Sequence, residues 1–161
     1  MGTIRLPTNA LCIQDVNTYA KNLKIPNYVG CHMIDLLPQC PRKKECGILN
    51  LEPSTEKGSH WVCWYKNGKD RIYFDSFGEP PPPELEAYLK TKKELKESKL
   101  CLKQSSVTVQ KDDSSECGSL CLYVIYNLNK GHSFEKILDV LSDHYQKTYG
   151  DFLHIQTSLL M

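Results

Sequence analysis

A cysteine at the boundary between a polar loop and an apolar helix is well placed to act as a nucleophile, and Cys117 occupies such a boundary. The stretch Gln110-Lys-Asp-Asp-Ser-Ser-Glu-Cys117-Gly-Ser-Leu-Cys121 opens with Asp112, Asp113, Ser114 and Ser115, residues that favour turns and helix starts. Leu120, Val124 and Leu128 then recur at helical spacing. At a helix N-terminus the unpaired backbone N–H groups and the positive end of the dipole favour a thiolate over a thiol. Gly118 follows, with no side chain to obstruct a substrate. Such a nucleophile needs a base, a group that orients the base, and donors for the developing oxyanion.

Candidates for each stand where strands are expected to end. Trp61-Val-Cys-Trp-Tyr65 and Arg71-Ile-Tyr-Phe-Asp75 flank Asn67-Gly68, a pair suited to the positive φ of a tight turn, and so predict a β-hairpin. The expected register sets His60, at the start of the first strand, opposite Asp75, at the end of the second. His60 would be the base, and Asp75 would hold its tautomer and stabilise the imidazolium. Gln110 would end a strand before Cys117 and offer its amide to the oxyanion beside the Cys117 backbone N–H. Each residue also has a plainer reading. His60 fits a surface or core site, Asp75 a turn residue in Asp75-Ser76-Phe77-Gly78, and Gln110 a solvated strand end. Cys117 alone fits a small buried hydrophobe, as Cys63, Cys101 and Cys121 are read. The conjunction carries the catalytic reading.

The elements that must position these residues read as an α+β domain. Thr8-Asn9 is expected to cap a helix to about Leu23, stopped by Pro26. Tyr28 to Leu37 reads as extended, Cys40 to Glu45 as a basic loop, and Cys46 to Leu51 as a central strand. Pro80 to Pro83 reads as rigid surface chain, and Glu84 to Glu97 as a charged amphipathic helix. Leu100–Leu102 and Ser106–Val109 read as strand. Gly131 is a plausible C-cap, and Ser133 opens a further helix; the signal is weak beyond Tyr145.

The 161 residues are 40% hydrophobic and 24% charged, with a net charge of +1, which fits one globular domain and argues against a strongly electrostatic nucleic-acid binder. Arg42-Lys43-Lys44 and the lysines from Lys90 to Lys103 are a candidate DNA contact, but alternation of lysine with glutamate favours a solvated face. No segment has the length of a membrane span, Met1 to Pro7 lacks a signal-peptide core, and Leu6 spoils a myristoylation match. Eight cysteines are therefore expected as reduced thiols in an intracellular compartment. No Cys-x-x-Cys pair supports zinc, and Cys117-x-x-x-Cys121 lacks the usual spacing of a thiol–disulfide exchanger.

Gly58-Ser-His60-Trp61, Tyr73-Phe-Asp75-Ser76-Phe-Gly78, Gln110 and Glu116-Cys117-Gly118-Ser-Leu together resemble the cysteine proteases that join adenain, the adenovirus-type maturation protease, with the ubiquitin-like (SUMO-type) specific proteases. The resemblance spans about Asn9 to Leu128. It implies a papain-like or adenain-like fold over residues 1–161: a mixed central sheet packed by helices, the nucleophile at the N-terminus of a core helix, and a C-terminal helical part at 133–161. It implies Cys117 as nucleophile, His60 as base, Asp75 as third member and Gln110 as oxyanion donor, with no metal or organic cofactor. Trp61, Gly58 and Gly118 would contact substrate, in a narrow cleft favouring Gly-Gly before the cut.

The seven-residue spacing of Gln110 and Cys117 resembles the adenain branch, whereas Asp75-Ser76 resembles the modifier-specific branch. The expected activity is a monomeric endopeptidase maturing viral or mobile-element structural proteins, in host nucleus or cytoplasm or packaged in a virion. The alternatives are an isopeptidase acting on a ubiquitin-like modifier and a silent binding module on the same fold. Activation by DNA or a peptide would follow from the adenain resemblance alone.

Overall fold

Strands buried on both faces need cover on both, and that requirement organises the chain. The computed structural model describes residues 3–55, 59–68, 70–90, 101–111, 114–147 and 152–156. A mixed sheet of five strands runs β2 (Tyr28–Met33), β3 (Lys44–Asn50), β4 (Trp61–Asn67), β5 (Asp70–Phe74) and β6 (Cys101–Gln104), in that spatial order. The outer pairs, β2–β3 and β5–β6, are parallel, and the inner pairs are antiparallel. β4 is the middle strand, and β3, expected as a central strand, is interior to the sheet, paired with β2 on one side and β4 on the other. β3 also starts at Lys44, within the segment expected as loop, because Lys44 and Glu45 pair with Asn67 and Lys66.

One sheet face packs Ile48, Trp61, Cys63, Ile72 and Phe74 against α3 (Cys117–Asn129), with α1 (Ile13–Asn22) and α4 (Phe134–Lys147) closing the same core. The other face packs Leu49, Val62, Trp64 and Tyr73 under α2 (Pro83–Leu89), whose Leu85, Tyr88 and Leu89 point inward. Gly47 allows this packing, since a Cβ there would stand 2.4 Å from Trp64 ring atoms. Beneath α2, Lys66 Nζ lies 3.2 Å from Glu45 Oε1, and the Tyr88 hydroxyl lies 2.8 and 2.9 Å from the two Glu45 oxygens. An ion pair this buried holds only when its remaining polar atoms also find partners, and Tyr88 supplies one.

α3 begins at the expected residue. It is buried nearly all round, not along one stripe, because it lies between the sheet, α1 and α4. Gly131, with φ +93, terminates it, and the Ser133 hydroxyl accepts the Lys136 N–H at 3.2 Å at the start of α4.

Several expectations are corrected. α1 starts at Ile13, not after Thr8-Asn9: the Leu11 carbonyl accepts the Trp61 indole N–H at 3.0 Å and is taken from the helix, while Asp15 accepts the Cys12 N–H. The segment from Tyr28 turns after Met33, where Leu36 N–H meets the Met33 carbonyl at 2.9 Å, and does not run extended to Leu37. Pro81 is buried, and Pro83 starts α2, so the proline run is not all surface. Ser106 to Val109 is irregular chain. Its bonds go to the turn after β5, with Val109 N–H on the Ser76 carbonyl at 2.8 Å and Thr108 Oγ1 on the Phe77 carbonyl at 3.1 Å. The C-terminal part is not all helical: β7 (Phe152–Gln156) pairs antiparallel with β1 (Thr3–Pro7), a strand with no counterpart in the sequence reading.

The expected helix beyond Leu89 falls on residues outside the described ones. Of its flanking lysines, Lys90 pairs with Glu86 and Lys103 with Glu135, as a solvated face would. Among the described residues, no helix is long and apolar enough to cross a membrane.

Candidate active site

A cleft of about 500 Å³ opens where α3 begins and β4 starts, lined by His60, Trp61, Gln110 and Cys117 with Leu11, Asn50 and Phe77 among its walls. Cys117 is the first residue of α3 and only 6% exposed. The first bond of the helix runs from Leu120 N–H to the Glu116 carbonyl at 2.9 Å, so the N–H groups before it lack intrahelical acceptors. Any of them that faces the cleft can donate to an anion there.

His60 stands just before β4, and its Nε2 lies 2.6 Å from Asp75 Oδ1. Cys117 lines the same cleft, and its side chain also acts on the charge of the ring. Burial pulls the His60 pKa down, but the Asp75 carboxylate and then Cys117 outweigh it and raise it to about 9. The imidazolium is therefore the stable form of this ring at neutral pH. Phe77 stacks on it at 4.7 Å between ring centroids, covering a face that water would otherwise reach.

The hairpin delivers this pair by a route different from the expected one. Asn67 pairs with Asp70, with Gly68 after Asn67 at φ +62, and the ladder's last pair is Cys63–Phe74. Val62, not His60, lies on the register position opposite Asp75. Asp75 has left the strand for the turn read in the sequence: its carbonyl accepts the Gly78 N–H at 2.8 Å, and its Oδ1 accepts the Phe77 N–H at 2.9 Å. Ser105 Oγ bonds both the N–H and the carbonyl of Asp75, at 3.3 and 3.2 Å. The carboxylate is thus set by its turn and reaches His60 diagonally across the strand ends.

Gln110 lies in the irregular chain after β6, not at a strand end, and is buried beside the cleft. Its Nε2 donates to the Ser114 carbonyl at 2.9 Å, and its Oε1 accepts from Ser76 Oγ at 2.5 Å. Trp61 forms part of the cleft wall as well as the core. Gly118 does not line the cleft: it is buried behind the wall, where a Cβ would come within 3.2 Å of the Trp61 ring and 3.4 Å of Leu11 Cδ1. Its missing side chain makes room for Trp61, not for a substrate. Gly58 lies outside the described residues.

Sequence reasoning missed four neighbours of the site. Ser76 and Phe77 stood in the sequence as turn and motif residues, without any sign of their contacts with Gln110 and His60. Leu11 acts through its carbonyl, which carries no side-chain signature. Asn50 accepts the N–H groups of Glu52 and Ser59 at 3.0 and 3.2 Å and so fixes the chain that enters His60. Glu116, next to the nucleophile, is buried, and burial pushes its carboxyl pKa up against the opposing pull of Lys111. Among the described residues, no group of three His, Cys, Asp or Glu side chains is placed to hold a metal ion.

No protein-family model matches the chain, and no curated protein sequence matches it. Solved structures do. The pS273R protease of ASFV matches with a TM-score of 0.61 at 17% identity, covering 88% of this chain and 68% of that one. Its selenomethionine form matches with a TM-score of 0.57 at 17% identity, over the same shares of both chains. The chain has the α+β papain-like fold that it shares with this protease.

Proposed function

We propose that this chain is a cysteine endopeptidase of the adenain type. It cleaves after small residues, Gly-Gly above all, and its substrates are structural proteins of a virus or mobile element undergoing maturation. The observation that carries this reading is the 2.6 Å bond from His60 to Asp75 in the cleft that also holds the Cys117 thiol.

In the proposed reaction, the Cys117 sulfur attacks the scissile carbonyl while its proton resides on His60. The Gln110 amide and a backbone N–H at the start of α3 take the oxyanion. His60 then gives its proton to the leaving amine, and water, deprotonated by His60, resolves the thioester. Asp75 holds the tautomer throughout, and no metal or organic cofactor enters the scheme. The apolar walls Trp61, Leu11 and Phe77 favour a substrate segment without bulk before the cut. Arg42, Lys43 and Lys44, exposed where the chain enters β3, are the proposed contact should DNA activate the enzyme. A thiol nucleophile suits a reducing intracellular compartment, host nucleus or cytoplasm or the virion interior, and a monomer suffices for this site.

A second reading, an isopeptidase for a ubiquitin-like modifier, is favoured by the Asp75-Ser76 pair. A Gly-Gly peptide electrophile and a whole modifier bearing the same electrophile separate the two. Labelling of Cys117 by the peptide supports the endopeptidase, and much faster labelling by the modifier supports the isopeptidase. Failure of both probes, with and without DNA, would leave only the silent binding module. Equal cutting of substrates with bulky and with glycine residues before the scissile bond would defeat the specificity part of the reading.

A further inference from the structure

A buried amide has two orientations that exchange its oxygen and nitrogen, and only one of them offers a donor to an oxyanion. For Gln110 the neighbours decide. The Ser114 carbonyl can only accept, so Nε2 must be the atom 2.9 Å from it. Oε1 then faces Ser76 Oγ at 2.5 Å, and the hydroxyl must donate. Ser76 has no exposure, so solvent does not compete for that hydroxyl. With one Nε2 hydrogen on Ser114, the second is left for the cleft that Gln110 lines together with Cys117. The same segment fixes the backbone, since the Val109 N–H meets the Ser76 carbonyl at 2.8 Å.

We infer that Ser76 is a positioning residue whose hydroxyl anchors Gln110 Oε1 and, with the acceptor-only Ser114 carbonyl, holds the Gln110 amide with its N–H toward the oxyanion formed on attack by Cys117. The inference rests on the protease reading above. In the reversed orientation Oε1 would face the oxyanion, and a stabilising donor would become a repelling acceptor. Ser76 acts only through Gln110, so its loss weakens the step in which negative charge develops and leaves substrate capture alone.

The test compares the full chain with Ser76→Ala, Ser76→Cys, Gln110→Ala and Ser76→Ala/Gln110→Ala. Two readouts are used: turnover of a fluorogenic Gly-Gly peptide, and the side-chain amide resonances of Gln110 in ¹⁵N-labelled protein, assigned by their absence in Gln110→Ala. Ser76→Cys keeps the packing with a much weaker donor and guards against misfolding in Ser76→Ala. Gln110→Ala is expected to lower kcat about 100-fold, the usual effect of losing one oxyanion donor. Ser76→Ala and Ser76→Cys should lower kcat about 10-fold at unchanged KM, and the double variant should be no slower than Gln110→Ala alone. The Gln110 amide protons should lose exchange protection in both Ser76 variants. Full additivity in the double variant, or an amide indifferent to Ser76, overturns the inference. A wild-type chain without turnover whose Gln110 amide still depends on Ser76 overturns the protease reading while upholding the anchor.

Discussion

The His60 ring and the Asp75 carboxylate meet at 2.6 Å although they are not opposite each other in the β4–β5 ladder, whose last pair is Cys63–Phe74. The contact depends on Asp75 having left the strand. The pleat does not aim its carboxylate; the Phe77 N–H on that carboxylate and the two hydrogen bonds between Ser105 Oγ and the Asp75 backbone do. Asp75 is 2% exposed and the His60 side chain 15%, so solvent screens the pair little.

That pair sets a pH dependence. The His60 pKa lies near 9 in the fold, above its ordinary 6.5, so stabilisation from its charged form is fully present below about pH 6.5 and is lost as pH rises through 9. kcat/KM for a Gly-Gly peptide is expected to fall on the alkaline side with a midpoint near 9. Asp75→Asn should move that midpoint toward the ordinary histidine value, and the gap in Tm between wild type and Asp75→Asn should close above pH 9. An alkaline limb that ignores the substitution would remove His60 from the reaction.

Cys117→Ala is expected to abolish labelling by an electrophilic Gly-Gly peptide. His60→Ala should lower turnover about 10⁴-fold, the scale on which a hydrolase loses activity when a triad member is removed. Intact-mass spectrometry reads the first, and initial rates the second. Adducts on Cys12 or another exposed thiol in Cys117→Ala would show that the probe reacts without the site.

Gly47→Ala tests the packing of the central strands. The new Cβ would stand 2.4 Å from the Trp64 ring, which is fully buried and has no room to withdraw. Overpacking of this kind costs about 1–3 kcal/mol, read as a lower urea midpoint with an unchanged slope. A midpoint equal to that of wild type would show that Trp64 moves freely.

Lys66 and Glu45 make a sharper prediction because their side chains are 2% and 0% exposed. Lys66→Met leaves the carboxylate buried with Tyr88 and the Arg42 N–H as partners, a loss of about 3–5 kcal/mol in urea denaturation. Replacing both, as Lys66→Met with Glu45→Leu, should recover most of it, since two apolar side chains need no partners. A double variant as unstable as the single one would mean that the pair itself stabilises the fold.

Cys117, His60, Asp75 and Gln110 were legible in the sequence because each is a chemically distinctive residue at the edge of an apolar segment, and the structure brings all four to one place. The hairpin was legible from Asn67-Gly68, but its register was not, since closing the ladder with Asn67 opposite Asp70 changes every pairing while leaving the composition of both strands the same. The start of α1 was hidden for another reason. Thr8-Asn9 is good capping chemistry, and a contact from Trp61, far along the chain, prevents the helix from using it. Ser76 and Phe77 were read as turn and motif residues, but their contacts with Gln110 and His60 were hidden because tertiary structure sets them. β1 and β7 left no signal at all: each is five residues long and finds its partner at the far end of the chain.

The β1–β7 pairing, Thr3 with Gln156 through Pro7 with Phe152, also orders events in time. During synthesis the β1 segment emerges long before its sheet partner β7, a closure over roughly 150 residues with a correspondingly large entropic cost. Residues 8–12 run from β1 into the cleft rim, where Ala10, Leu11 and Cys12 line it. Ribosome-stalled chains ending after Lys147 should therefore label more slowly than chains that carry β7, so that translation itself delays the onset of cutting.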